Sequence, residues 1–170
     1  MNRQIAGEQY FFPKVKEVAT ESLEPEGKGR VILIIGQPGT GKSVFMSQLY
    51  DELRGKTDFL IGIRADYLNK GDSPELVFGK FHEVDASDIA KILLLDSLDV
   101  LAYSRKRELL EWLYHIDKLK MIRRMTVICA SRSFEAEHLY PMNDQEWSRK
   151  IFIDPLPDDF VNRVLSKSGY

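Results

Sequence analysis

Eight consecutive residues, Gly36-Gln37-Pro38-Gly39-Thr40-Gly41-Lys42-Ser43, constrain this chain more than any other stretch. They follow an apolar run, Val31-Ile32-Leu33-Ile34-Ile35, and precede a helical pattern from Val44 to Leu53. A strand, a glycine-rich loop and a helix in that order are the context that G-x-x-x-x-G-K-[ST] requires. Glycines let the loop curl without Cβ clashes, so successive backbone N–H groups point inward as an anion nest. The start of the following helix adds free N–H donors and partial positive charge. Lys42 is placed to reach the β- and γ-phosphates of a nucleotide, and the Ser43 hydroxyl to ligate Mg²⁺. The competing reading is a glycine turn beside a surface lysine. The strand before and the helix after favour a phosphate-binding loop made by Gly36 to Ser43, with Val44 next to it.

The rest of the chain alternates strands and helices around that loop. Its 170 residues suffice for one domain with a core. Residues 1–28 show no sustained period; they hold the cluster Tyr10-Phe11-Phe12-Pro13 and end in the turn-rich Glu24-Pro25-Glu26-Gly27. They read as an irregular N-terminal arm, packed near the nucleotide base or merely extending the core. Residues 29–157 read as the nucleotide-binding domain. The first strand, Arg30 to Ile35, is apolar throughout, which suits burial on both faces of a parallel sheet. The helix from Lys42 to Leu53 carries Val44, Phe45, Leu49 and Leu53 as a stripe. A second strand covers Thr57 to Ile63. Ser73-Pro74-Glu75 then caps a second helix that carries Leu76, Val77 and Phe78.

The third strand is Lys91-Ile92-Leu93-Leu94-Leu95-Asp96-Ser97-Leu98-Asp99. A helix capped by Ser104 runs to Leu119, with Leu109, Leu110, Leu113, Ile116 and Leu119 on one face, Trp112 in the core and Tyr114 outside. Strand four is Met125 to Ala130 and leads into Ser131-Arg132. Strand five is Arg149 to Ile153, and a last helix opens at Pro157-Asp158 and occupies residues 158–170. This pattern predicts an α/β three-layer sandwich: a parallel five-stranded sheet with right-handed crossovers and ligand at the carboxyl ends of the strands. The glycine loop, Asp96, Asp99 and Arg132 each fall just past such an end.

Composition narrows the function. A net charge of −2 gives no footprint for nucleic acid. The densest basic cluster, Arg105-Lys106-Arg107, runs into Glu108 and Glu111 and reads as the solvated start of a helix. The single cysteine, Cys129, sits in an apolar run and reads as a buried thiol in a reducing compartment. No apolar run approaches the ~18 residues of a membrane span, and the N-terminus lacks the apolar core of a signal peptide; a cytoplasmic location without membrane partners is expected. His82, His115 and His138 are scattered without metal-ligand spacing. Asn69-Lys70-Gly71-Asp72 matches the guanine-reading N-K-x-D, but it precedes the acidic strand instead of following strand four, so it reads as a polar loop.

The strand ends carry the chemistry. Asp96, after four apolar residues, is placed to hold Mg²⁺ together with Ser43, unless it only caps a turn. Asp99, three residues on, is the candidate to orient or deprotonate the attacking water, the alternative being an N-cap. Arg132 at the tip of strand four suits bidentate contact with the γ-phosphate; otherwise it is exposed or paired with Glu135 or Glu137. With Lys42, Asp99 and Arg132 form the expected catalytic set.

Gly36–Ser43, Leu93-Leu94-Leu95-Asp96-Ser97-Leu98-Asp99 and Cys129-Ala130-Ser131-Arg132 together resemble the signal-transducing ATPases called STAND, which include the NACHT and NB-ARC modules and are related to AAA+ proteins. The resemblance spans about Arg30 to Asp159. It implies a P-loop NTPase of the ASCE type with sheet order 5-1-4-3-2, ATP or ADP with Mg²⁺, and switching between a closed ADP state and an open ATP state that forms homo-oligomers. It departs from the pattern at Val100, where many members have a second carboxylate, so slow hydrolysis is expected. AAA+ proteins place glutamate where this chain has Ser97. Arg149-Lys150-Ile151-Phe152-Ile153 is similar to the segment around an AAA+ arginine finger, so Arg149 is a candidate finger acting in trans, against a plain strand-edge charge. Family members continue into a helical lid and sensor domains. The resemblance therefore implies an excised nucleotide-binding core whose residues 158–170 begin the lid.

Two other classes compete with a switch ATPase. A module that binds ATP or ADP without turnover differs in releasing no phosphate. A small-molecule or nucleotide kinase needs an arginine-rich acceptor lid, and no such insertion lies between strands three and four.

Overall fold

A computed structural model describes residues 10–24, 27–68, 72–83, 88–104 and 106–167 of the chain. Five strands form one sheet: β1 (Arg30–Gly36), β2 (Phe59–Arg64), β3 (Lys91–Asp96), β4 (Met125–Arg132) and β5 (Arg149–Phe152). Their order is β2-β3-β4-β1-β5 and every pairing is parallel, which is the expected 5-1-4-3-2 read from the opposite edge. The helices are α1 (Lys14–Leu23), α2 (Lys42–Leu53), α3 (Pro74–Glu83), α4 (Asp99–Ser104), α5 (Lys106–Leu119), α6 (Ser133–His138) and α7 (Asp158–Lys167).

Side chains of the central strands alternate between two cores, because successive residues of a strand point to opposite faces. Val31, Leu33, Ile35, Leu93, Leu95, Val127 and Cys129 pack with residues of α3 and α5. Ile32, Ile34, Ile92, Leu94, Ile128 and Ala130 pack with residues of α1 and α2. Burying one such side chain contributes roughly 1.5–3 kcal/mol, so both faces of β1 select for apolar residues. Cys129 is a free, fully buried thiol, and burial pushes its pKa well up, away from reactivity.

Several local expectations need correction. Residues 14–23 of the arm form a regular helix, α1, whose buried face is Val15, Val18, Ala19 and Ser22. The third strand ends at Asp96; Ser97 and Leu98 turn the chain and Asp99 opens α4. Ser104 is the last residue of α4. On α5, Leu110 is 42% exposed while Leu109, Trp112, Leu113, Ile116 and Leu119 are buried. One residue beyond Leu109 is about 100° around the helix, which carries Leu110 off the core face. Ser73 does cap α3, its hydroxyl accepting from the Glu75 N–H at 3.1 Å, but Phe78 and Phe81 fill the core and Leu76 faces solvent. Residues 69–71 of the N-K-x-D match lie outside the described residues.

The histidine reading also changes. His115 of α5 meets Glu75 of α3 at 3.4 Å, and with Glu111 their candidate ligand atoms lie within 4.8 Å of one another. Both carboxylates are exposed, and His115 stacks on Phe78, so the group reads as a clasp between two helices.

The segment ahead of α1 is tied to the loop helix by Gln48, which is buried. Its side-chain oxygen accepts from the Phe12 N–H at 3.1 Å and its amide donates to the Tyr10 carbonyl. Gln48→Ala leaves the Phe12 N–H without its partner, at a loss of about 1–3 kcal/mol. The expected result is a lower melting temperature, by roughly 2–4 °C per kcal/mol, with faster hydrogen exchange at the Phe12 amide.

Candidate functional site

Register brings the sequence-derived residues to one edge of the sheet. Gly36 at the end of β1 is level with Arg132 at the end of β4, and Leu95, one residue before Asp96, is level with Cys129. The Ile153 N–H donates to the Ile35 carbonyl at 2.7 Å and closes the β5 side of the loop.

The loop is built from residues that only glycine can supply at three places. Gly39 and Gly41 have φ of 83° and 89°, in the left-handed region that side chains disfavour. A Cβ on Gly36 would stand 2.5 Å from the Thr40 hydroxyl, which itself donates to the Gln37 carbonyl at 2.9 Å. The ammonium of Lys42 donates to the carbonyls of Gly36 and Gln37, each at 2.8 Å, so its charge sits at the mouth of the loop. Gly41 gives α2 no side-chain cap, which leaves its first N–H groups to an anion. Gln37, Pro38, Gly39 and Ser43 are exposed, and Val44 is half-buried on the first turn of α2.

Asp96 is 5% exposed, and one of its carboxylate oxygens is buried with no hydrogen-bond partner. Such an oxygen is costly unless a donor or cation meets it. Mg²⁺, a hard cation bound by carboxylate and hydroxyl oxygens, fits Asp96 with Ser43. Ser97 follows with φ 61°, a positive value in a non-glycine residue, and the Leu98 N–H donates to the Ala130 carbonyl at 2.9 Å. That turn delivers Asp99, 3% exposed, to the first position of α4, where its carboxylate pairs with Arg132 Nε at 3.2 Å. Burial raises the Asp99 pKa above the ordinary carboxylate value, with Arg132 opposing the rise. Burial likewise lowers the pKa of Lys42, against the pull of Asp99.

Arg132 therefore pairs with Asp99, whereas the sequence offered Glu135 or Glu137. Arg149 is not part of this group: it is level with Ile32, toward the opposite end of the sheet, and is ion-paired with Glu17 at 2.6 Å and with Glu21.

Three features escaped the sequence reading. Glu135 on α6 is 3% exposed and accepts a hydrogen bond from the Tyr103 hydroxyl of α4. Its spacing of three from Arg132 is the available signal, and by itself that spacing suggests only an ion pair. Arg64 ends β2 level with Asp96, held by Asp66 at 2.6 Å and lying over the Tyr67 ring. Finally, the arm, which the sequence allowed near the nucleotide, meets the loop through a ring that no pattern singled out. The Phe12 ring lies so close to Gly41 that a Cβ there would stand 2.9 Å away, and Tyr10 packs between Phe12 and Phe160 of α7.

Comparison with known proteins bears on the family and the fold. The family model described as "ATPase family associated with various cellular activities (AAA)" matches residues 32–154. No curated protein matches the chain. Among solved structures, a chain from work on the structural basis of katanin self-assembly superposes with a TM-score of 0.61 at 22% identity, over 94% of this chain and 56% of that one. The FIGL-1 AAA domain in complex with ADP superposes with a TM-score of 0.56 at 19% identity, over 96% of this chain and 60% of that one. At these identities the two likenesses speak for the fold. The chain spans less than two thirds of the length of either. Among the described residues, no helix is long and apolar enough to cross a membrane.

Proposed function

The chain belongs to the AAA family of ATPases, and from that premise we propose that its loop and strand tips bind Mg-ATP and Mg-ADP and hydrolyse ATP slowly, as the nucleotide-controlled switch of a larger assembly. The observation that carries this is the convergence of Lys42, Asp96, Asp99 and Arg132, from three separate segments, on one sheet edge. The loop N–H groups and Lys42 hold the β- and γ-phosphates. Ser43 and Asp96 hold Mg²⁺, which supplies charge neutralisation at the phosphate oxygens when bound. Water attacks the γ-phosphorus, its proton passes to the Asp99 carboxylate, and the bond to the bridging oxygen breaks with its electron pair leaving on ADP. Arg132 is half-exposed beside Asp99, so it can exchange that carboxylate for the γ-phosphate and report which nucleotide is present.

Slow turnover is supported by Ser97, where AAA+ relatives carry glutamate, and by the Arg132 contact that occupies Asp99. The same contact favours, as second reading, a module that binds nucleotide and does not turn it over. The STAND-type switch and the start of a lid at α7 belong to this proposal, as does self-association, for which the katanin structure is the nearest pointer. Arg149 is left out of it, being held by Glu17 and Glu21.

The deciding experiment is a thermal shift with ATP, ADP, GTP or no nucleotide, each with Mg²⁺, run beside a phosphate-release assay. Stabilisation by ATP and ADP with slow release is expected. Stabilisation without release selects the binder, and no stabilisation by any nucleotide overturns the reading.

A further inference from the structure

Glu135 is a buried carboxylate that hydrogen bonding only half accounts for. Its Oε1 accepts from the Tyr103 hydroxyl, while its Oε2 is buried and has no partner. Among the described residues, just three buried side-chain atoms lack a partner, and two of them are Oε2 of Glu135 and Oδ2 of Asp96. A buried carboxylate oxygen left without a donor is unfavourable, and where a fold retains one, a donor that arrives in function is a sufficient reason. Glu135 stands in the first turn of α6, three residues past Arg132, and is hydrogen-bonded to α4, the helix that Asp99 opens, so it lies beside the Asp99–Arg132 pair. A purely structural tie between α4 and α6 would need the Tyr103 bond alone and leaves Oε2 unexplained.

We propose that Glu135 is the second carboxylate of this site: its Oε2 accepts a hydrogen bond from the attacking water while Asp99 takes that water's other proton. The proposal rests on the ATPase reading above. Water has two hydrogens, and holding both fixes its lone pair toward the γ-phosphorus, which is the positioning that raises rate without new covalent chemistry. The second acidic group, missing at Ser97 in the turn after β3 and at Val100 in α4, is thus supplied by α6. Tyr103 acts through Glu135 as a positioning residue that keeps Oε1 occupied and Oε2 turned to the water.

The test uses Glu135→Gln and Tyr103→Phe in the whole chain. For Glu135→Gln, kcat is expected to fall about 100-fold with KM and the thermal shift by Mg-ADP unchanged; Tyr103→Phe should fall less, about tenfold. A second readout is independent of turnover: Mg-ADP with aluminium fluoride, which mimics the transferring phosphoryl group and its in-line water. Glu135→Gln should weaken that complex at least tenfold relative to wild type while Mg-ADP binds equally. A merely structural Glu135 would move the melting temperature of the free protein and leave the ratio of the two affinities alone. Equal aluminium fluoride complexes in wild type and Glu135→Gln overturn the role of Glu135 and leave the ATPase reading intact. A wild-type chain that binds no nucleotide overturns both.

Discussion

Lys42→Ala erases nucleotide-dependent stabilisation. With ligand at a hundred times its Kd, the wild-type chain gains about 2.7 kcal/mol, a rise of roughly 5–10 °C in melting temperature for a domain of this size. The variant is expected to gain none at the same concentrations. Two effects combine. The ammonium at the mouth of the loop is the one full positive charge that the glycine segment offers to phosphate. Its bonds to the Gly36 and Gln37 carbonyls also shape the loop, and alanine gives up both. Differential scanning fluorimetry with Mg-ATP and Mg-ADP checks this, and a variant shifted as far as wild type removes the glycine loop as the phosphate site.

Asp99→Asn separates binding from turnover. Binding of Mg-ATP should persist within a few-fold, while phosphate release falls on the order of 10²–10⁴-fold, the usual contribution of a positioned base. The fold itself should not suffer. Burial raises the folded-state pKa of Asp99, so ionisation is less favourable in the folded chain than in the unfolded one. Such a group adds stability below its unfolded pKa, and that stability is lost as pH rises through the folded pKa. At neutral pH the asparagine variant, freed of that penalty, should therefore melt no lower than wild type. The same rise moves the acid limb of the wild-type rate profile above the ordinary carboxylate value of about 4. That limb should vanish from the residual activity of the variant. A variant with wild-type turnover, or an unmoved limb, takes Asp99 out of the chemistry.

What the sequence made legible is what local pattern alone decides. β1 and β3 are continuous apolar runs because both faces are buried, and the glycine loop between β1 and α2 has a spacing with few alternative meanings. Sheet order came from resemblance, since nothing local distinguishes one crossover from another. α1 was missed because its buried face is two valines, an alanine and a serine, too small and too polar to show a period beside its lysines and glutamates. α4 and α6 are six residues each, shorter than the window in which a helical stripe can be told from chance. The same shortness hid part of the site. Glu135 and Tyr103 meet across 32 residues of chain, and no spacing rule links them. Arg132 and Asp99 were each visible as strand-tip residues, but their pairing depends on the turn at Ser97, whose positive φ no sequence pattern announced.

The parallel register of β1 has a further consequence, for the order of assembly. Both neighbours of β1 come from the far half of the chain: β4 begins at Met125 and β5 at Arg149, about a hundred residues later than Arg30. As the polypeptide leaves the ribosome, Val31-Ile32-Leu33-Ile34-Ile35 is therefore synthesised long before either strand that will shield its edges. Contacts so distant in sequence make for slow folding, and an apolar strand with open edges is a template for unwanted pairing. The segment that aligns the phosphate loop is thus also an aggregation hazard for the nascent chain. Its expression should depend on chaperone supply and on slow synthesis far more than the stability of the finished sheet would indicate.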